Sequence, residues 1–234
     1  MQKTFRNTTI LMVLIFLGTQ WGFYSTYTSQ FPTFENATPT IHVHGALLMT
    51  WLVLLVLQPA LLYMGRPKLH RSIGKVSWVL GPAIIISLYL IGRHGYWRAM
   101  EFDVPMHDAL TLIALDSRGL ICFTIFWTMA MVYRKKSQYH MRYMIATGLL
   151  AIGPGIGRGI LFSFDASLGM AMTISDLLVL LIAGILLFID ITGKKSNRAS
   201  LTIFLIFIIY MSLWQIRDTV LWQSFAQHYA NIFY

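Results

Sequence analysis

Charged residues are scarce in this sequence. Only 12% of its 234 residues are Asp, Glu, Lys or Arg, whereas a soluble domain normally contains about 25%. Apolar and aromatic residues make up 56% of the chain, and they occur in long runs separated by short polar segments. A bilayer core of roughly 30 Å requires about 20 apolar residues in each helical span. The composition therefore excludes a soluble globular domain and indicates an integral membrane protein.

Cysteine and acidic residues are also few. The single cysteine, Cys122, lies inside an apolar run, so an intramolecular disulfide and a C-x-x-C zinc site are excluded. The zinc-protease motif H-E-x-x-H is absent as well. Nine acids stand against 18 Lys and Arg, an excess that can indicate nucleic-acid binding. Because most of these basic residues fall in loops on one side of the predicted bundle, we predict no nucleic-acid partner.

The apolar runs predict the fold class. They lack the polar and apolar alternation of a membrane β-barrel, and a helix satisfies its own backbone hydrogen bonds in lipid. We therefore predict an all-α fold, a polytopic transmembrane helix bundle of about seven spans that forms one domain over residues 1–234. The predicted spans cover residues 8–25, 43–64, 76–92, 115–133, 143–162, 172–191 and 201–214.

The basic residues predict the orientation. Cytoplasmic loops are enriched in Lys and Arg, and with a cytoplasmic N-terminus and an outside C-terminus only five basic residues lie in the outer half: Arg93, Arg98, Arg118, Arg158 and Arg217. We predict a multi-pass protein of the bacterial inner (plasma) membrane, in contact with the lipid bilayer. Another membrane subunit and a homo-oligomer are alternative protein partners. The outer segment 93–114 is expected to lie outside the membrane and to carry a short amphipathic helix.

Polar residues inside the apolar runs are the candidates for function, because they are costly in lipid. Arg158 and Asp176 lie nine residues on either side of Ser167, where the turn between the fifth and sixth spans is expected. We predict that they lie at the same depth and form an ion pair, with Arg158 binding an anionic group and His44 acting as a ligand or proton acceptor. No catalytic residue is predicted. The predicted ligand- or cofactor-binding residues are His44, Gln58, His107, Asp116, Arg158 and Asp176.

Histidines at the outer ends allow two kinds of cofactor. His42 and His44 form a His-x-His pair, which would converge on one divalent metal only if the chain there is extended. A single haem b is the other alternative, with His44 and either His94 or His107 as axial ligands. At the inner face, His70 and His140 lie at the same level of the predicted bundle.

The fifth span is rich in glycine. Gly153 and Gly157, and likewise Gly155 and Gly159, are separated by three residues, a spacing that lets helices approach closely in membranes. Pro154 removes a backbone donor, so we expect it to kink this helix.

One stretch resembles known sequences. His44, Trp51 and Gln58 are followed by Leu-His-Arg-x-x-Gly from Leu69 to Gly74, and this pattern resembles uncharacterised bacterial multi-span membrane proteins. The resemblance covers about 30 residues. It implies a multi-span membrane fold and supplies no activity.

Three functions fit the pattern. A haem- or metal-binding redox protein would use the outer His, Arg and Asp residues. A transporter of small solutes or ions would use Arg158, Asp176 and the broken fifth helix as a polar pathway. A non-catalytic subunit or assembly factor would need no site at all. The sequence leaves open whether the protein is an enzyme, since fold alone does not determine function.

Overall fold

The fold is entirely helical throughout the part of the chain that the structure describes. This computed structural model describes residues 2–35 and 37–234, and no strand occurs among them. The predicted all-α class is therefore confirmed for these residues. The helices are α1 (Gln2–Tyr24), α2 (Pro39–Tyr63), α3 (Pro67–Gly74), α4 (Ser77–Glu101), α5 (Met106–Val132), α6 (Ser137–Leu149), α7 (Arg158–Ser163), α8 (Leu168–Thr192), α9 (Arg198–Gln215) and α10 (Val220–Phe233).

Among the described residues, six helical stretches are long and apolar enough to cross a membrane. They are α2, α4, α5, the stretch Ser137–Ser163 that includes α6 and α7, α8 and α9. The chain is thus a multi-pass membrane protein. The first predicted span lies in α1, which is not one of the six, so seven spans and the predicted orientation stay predictions. We call "outer" the end of the bundle with the turns at 102–105 and 164–167, and "inner" the opposite end.

The outer end contains more helix than the sequence predicts. Residues 93–114, expected to form a separate segment, instead extend α4 to Glu101 and begin α5 at Met106. The polar residues in this stretch make the spans look shorter in the sequence than the helices are. Tyr96, Ala99 and Ile113 nevertheless give these helical extensions an apolar face. Helix α10 packs on α5, and Trp222 and residues of this face join a second hydrophobic core.

The inner half has a conventional apolar core and one buried ion pair. Arg142 on α6 donates to both carboxylate oxygens of Asp190 on α8, through Nε at 2.8 Å and Nη2 at 2.5 Å. Ser200 on α9 also donates to Asp190. Both charged side chains are buried, so this arrangement joins three helices with its carboxylate oxygens hydrogen-bonded. The surrounding core includes Phe126, Leu149, Ile152 and Phe207.

A π turn interrupts the glycine-rich helix. It covers Gly153–Gly157, between α6 and α7, so the interruption expected at Pro154 takes this form. A Cβ on Gly22 of α1 would lie 1.8 Å from the Gly155 carbonyl oxygen, and one on Gly157 would lie 2.2 Å from Met172 Cε of α8. The predicted close approach of neighbouring helices is confirmed. It requires glycine at position 22, where a side chain would collide with backbone, whereas at Gly157 the neighbouring atom is the flexible end of Met172.

Candidate functional site

Three predicted residues from different helices lie near one another in the outer half of the bundle. Arg158 on α7 interacts electrostatically with His44 on α2 and with Asp116 on α5. All three side chains are half-buried, whereas the core residues around them are fully enclosed. They therefore form a partly exposed polar cluster, which we call the outer site.

The hydrogen bonds of His44 fix which ring nitrogen carries the proton. His44 Nδ1 lies 3.1 Å from the Ser87 hydroxyl oxygen, and that hydroxyl donates its own proton to the Ile84 carbonyl at 2.9 Å. Since the serine proton is engaged, its oxygen accepts from His44 Nδ1–H, and the network assigns the tautomer. Nε2 then carries a lone pair, and no described residue binds it. A neutral histidine in this state can accept a proton or ligate a metal.

Arg158 lacks a polar partner among the described residues. Its guanidinium lies over the Phe23 ring, 5.0 Å from the centroid. Within residues 2–35 and 37–234 it makes no hydrogen bond, and no acid lies within 4.0 Å of it. A guanidinium has five N–H donors, and leaving them unused in an apolar bundle is costly. Arg158 is therefore available to bind an acidic group.

Asp116 lies against α4 and close to the end of α10. A Cβ on Gly92 would lie 3.1 Å from the Asp116 Cβ and 2.9 Å from the Tyr234 hydroxyl, so Gly92 leaves the space in which these two side chains meet. The Tyr234 carbonyl accepts from Trp97 Nε1 at 2.9 Å and from Arg93 Nε at 3.2 Å. Burial, the nearby Tyr229 and Asp116, and the hydrogen bond that Tyr234 donates to Tyr229 raise the pKa of Tyr234, so its hydroxyl stays protonated and its proton is engaged.

A groove opens on the side of the bundle. It runs between α2 and α4 and has a volume of about 300 Å³ at its outer end, where His94 and Trp97 line it. It continues inward past Val43 and Leu90 to Ser87, the hydrogen-bond partner of His44. The inner end of the groove therefore lies beside the residue that anchors His44.

The predicted pair of Arg158 with Asp176 is wrong. Asp176 pairs with Arg118 of α5, whose Nη1 donates to Oδ2 at 2.6 Å, and both side chains are buried. Equal distance from a turn fixes only the depth of a residue, whereas the direction of the side chain around its helix selects the partner. The π turn before Arg158 changes that direction, because it adds a residue to one helical turn.

The Arg118–Asp176 pair leaves polar atoms without partners. Arg118 also donates to the Tyr210 carbonyl at 3.3 Å. However, Arg118 Nε and Nη2, Asp176 Oδ1 and the indole nitrogen of Trp214 are buried and have no hydrogen-bond partner among the described protein atoms. Most buried polar atoms in native proteins are hydrogen-bonded, so this pair differs from Arg142–Asp190. In the sequence, Arg118 is only one of the outer basic residues near the start of a predicted span, and nothing else there indicates its role.

The remaining predicted residues lie elsewhere. His42 bonds to the Tyr27 hydroxyl at 2.6 Å, and His94 to Thr38 at 3.1 Å. His107 is exposed at the outer tip, beside Asp108 and Asp218. His42 and His44 thus have separate partners, and they do not converge on a metal. Among the described residues, no group of three or more His, Cys, Asp or Glu could hold a metal ion.

Gln58 belongs to the inner end. Its amide, with the nitrogen turned towards His70, lies 2.5 Å from His70 Nδ1 and accepts from the Gly74 backbone at 3.2 Å. Gln58 therefore connects α2 to α3 and is separate from the outer site. His140 near His70 bonds to the Ala130 carbonyl at 2.9 Å, so the two inner histidines have individual structural partners.

Comparisons with known proteins do not assign this chain to a family or a function. No protein-family model matches the chain, and no curated protein or solved structure matches it.

Proposed function

We propose that this membrane protein binds a small molecule with one acidic group, such as a monocarboxylate, at the outer site. The observation that carries the proposal is the half-buried guanidinium of Arg158, which has no polar partner among the described residues and lies near His44 and Asp116. Charged side chains inside a bundle are normally paired. A carboxylate would supply the missing partner, and arginine binds carboxylates through two parallel hydrogen bonds.

The neighbouring groups narrow the ligand further. His44 Nε2 can accept a hydrogen bond from a ligand hydroxyl. Asp116 places a negative charge beside Arg158, so a second acidic group on the ligand would be repelled. The site therefore suits a monoacid that also carries a hydroxyl group better than a diacid or a cation.

Thermal unfolding of the detergent-purified protein tests the proposal. A panel of hydroxy monocarboxylates, dicarboxylates, phosphates and uncharged amides would be compared. A monoacid at about 100 times its Kd should raise the Tm by about 5 °C or more. Arg158→Met should remove this shift, and Asp116→Asn should improve binding of dicarboxylates.

Arg217→Met is the matched control. Arg217 is also an outer arginine over an aromatic ring, 4.1 Å from the Trp214 centroid, but it has an ion pair with Asp218. This variant should keep the ligand-induced shift. If no acid in the panel stabilises the wild type, or if folded Arg158→Met responds as the wild type does, the acid-binding proposal is wrong.

A single haem is a second candidate, favoured by the geometry of His44. Histidines that ligate metals usually donate a hydrogen bond from the other ring nitrogen, as His44 does to Ser87. Arg158 would then bind a haem propionate. Absorption spectra of the oxidised and reduced protein should show haem bands that disappear in His44→Ala and persist in His94→Ala. A colourless protein prepared with haem supplied during expression would exclude this candidate and leave the acid-binding proposal intact.

A further inference from the structure

A second polar site lies deeper in the bundle, between α5, α8 and α9. Arg118 Nε and Nη2 and Trp214 Nε1 have buried N–H groups without an acceptor, and Asp176 Oδ1 has no donor. Arg118 is 0% exposed, Asp176 1% and Trp214 0%. These atoms carry four N–H hydrogens and two oxygen lone pairs by ordinary side-chain chemistry.

The unpartnered atoms belong to one cluster. The Arg118 guanidinium lies 5.2 Å from the Trp214 ring centroid and 4.0 Å from that of Tyr210, and its Nη1 is 2.6 Å from Asp176 Oδ2. The unpartnered groups therefore belong to the Arg118 guanidinium or to side chains next to it. A small molecule bound beside Arg118 would lie close to several of them at once.

Charge and hydrogen-bond capacity identify the chemistry of that molecule. Arg118 and Asp176 compensate each other, so an added ion would leave a net charge in the apolar interior, which is costly. The molecule must accept hydrogen bonds from Arg118 and Trp214 and donate to Asp176. Water does both, and buried water typically satisfies such otherwise unpaired groups.

We propose that roughly two water molecules bind at Arg118, Asp176 and Trp214, since two waters offer enough lone pairs for the four N–H groups. This site is separate from the outer site and does not depend on acid binding there. Bound water makes the ion pair exchangeable, because Arg118 can move away from Asp176 without leaving either charge unsolvated. The inner pair, Arg142–Asp190, has no such freedom.

Trp51 provides a matched internal control. Its side chain is 2% exposed, close to the 0% of Trp214, but its indole nitrogen donates to the Thr147 hydroxyl at 3.2 Å. The two tryptophans therefore differ in whether the protein itself satisfies the indole N–H. A method that detects water beside a buried side chain should distinguish them.

X-ray radiolytic footprinting in ¹⁸O-labelled water is that method. Hydroxyl radicals formed from bound water oxidise adjacent side chains, and mass spectrometry locates the label. In the full-length, detergent-purified protein, Trp214 should be oxidised at least about tenfold faster than Trp51, because only Trp214 has bound water beside it. Equal, slow oxidation of both would overturn the proposal.

A double variant tests the assignment to these residues. Arg118→Met with Asp176→Leu replaces the pair by apolar side chains of similar size, a change that buried ion pairs often tolerate. Labelling of Trp214 should fall to the level of Trp51, and persistent fast labelling would contradict the proposal. If this variant does not fold, the same labelling of Asp176→Asn and the comparison of the two tryptophans in the wild type still test whether water binds at this site. An uncharged organic molecule found by mass spectrometry of the denatured wild type, in amounts equal to the protein, would also overturn binding of water.

Discussion

Two buried Arg–Asp pairs hold this bundle together, and they are built differently. In the inner half, Arg142 binds both oxygens of Asp190 and Ser200 donates to the same carboxylate. In the outer half, Arg118 binds a single oxygen of Asp176, while the other oxygen and two guanidinium nitrogens are unpartnered by the described protein atoms. Burial and charge are the same in both. What separates a structural pair from a polar site is therefore how many of its hydrogen bonds the protein itself supplies.

The largest expected effect comes from breaking the inner pair. Asp190→Ala leaves Arg142 buried without compensation, which typically costs about 3–5 kcal/mol, and we expect the Tm to fall by about 10 °C or more. Asp176→Ala should cost less, about 1–3 kcal/mol, because bound water can solvate Arg118. Thermal unfolding of both variants in one detergent measures the difference. Equal losses would show that the two pairs are energetically alike.

A steric change can disturb the outer half alone. Gly22→Ala places a Cβ 1.8 Å from the Gly155 carbonyl oxygen, so α1 must move away from the π turn, at a cost of about 1–3 kcal/mol. Gly45→Ala is the control, since a Cβ there meets nothing within 4 Å. It should be neutral or slightly stabilising. A Tm of Gly22→Ala equal to that of Gly45→Ala would mean that the close contact is not maintained.

Removing the hydrogen bond between His44 and Ser87 should have a smaller effect on stability. Ser87→Ala removes the acceptor of His44 Nδ1–H, and the loss of a buried hydrogen bond costs about 1 kcal/mol. We expect a Tm lowered by about 2–4 °C and weaker binding of the acid at the outer site. Ser212→Ala, whose hydroxyl is exposed and donates to its own helix, should change neither. Unaltered acid binding in Ser87→Ala would show that His44 needs no anchor.

The smallest expected effect is on how the Tm depends on pH, through His70 at the inner end. Burial lowers the pKa of His70, and the neighbouring His140 and Arg71 lower it further. The unfolded chain therefore binds this proton more readily, so the stability contributed by neutral His70 is complete above pH 6.5 and is lost as the pH falls below it. His70→Gln should reduce the Tm loss between pH 7.5 and 5.5 by about 1–2 °C. The exposed His228→Gln should not, and an unchanged pH profile in His70→Gln would refute this account.

The apolar runs are sufficient to predict most helices, because lipid imposes the length of each run. They missed the extension of α4 and α5 at the outer end, where side chains such as Trp222 on α10 supply the burial that lipid does not. The outer site was predicted in part. His44, Asp116 and Arg158 were found because charged or ionisable groups are rare in spans.

The missed partners have physical reasons. Ser87 lies in an apolar run and can satisfy its hydroxyl on its own helix, so nothing in the sequence indicates its role. Tyr234 reaches the site from a distant part of the chain. Asp176 was assigned to the wrong arginine, because sequence distance from a turn gives height and not direction around the helix axis.

The π turn at Gly153–Gly157 amounts to one inserted residue in an otherwise continuous helix. Each residue of an α-helix advances by about 100° around the axis, so one insertion sets the angular phase of every residue that follows it. Arg158 is the first of these. Losing a single residue from this glycine-rich stretch would rotate Arg158 away from His44 and Asp116 without changing any side chain. The outer site can therefore be created or abolished by a one-codon insertion or deletion, in addition to substitution of the residues that form it.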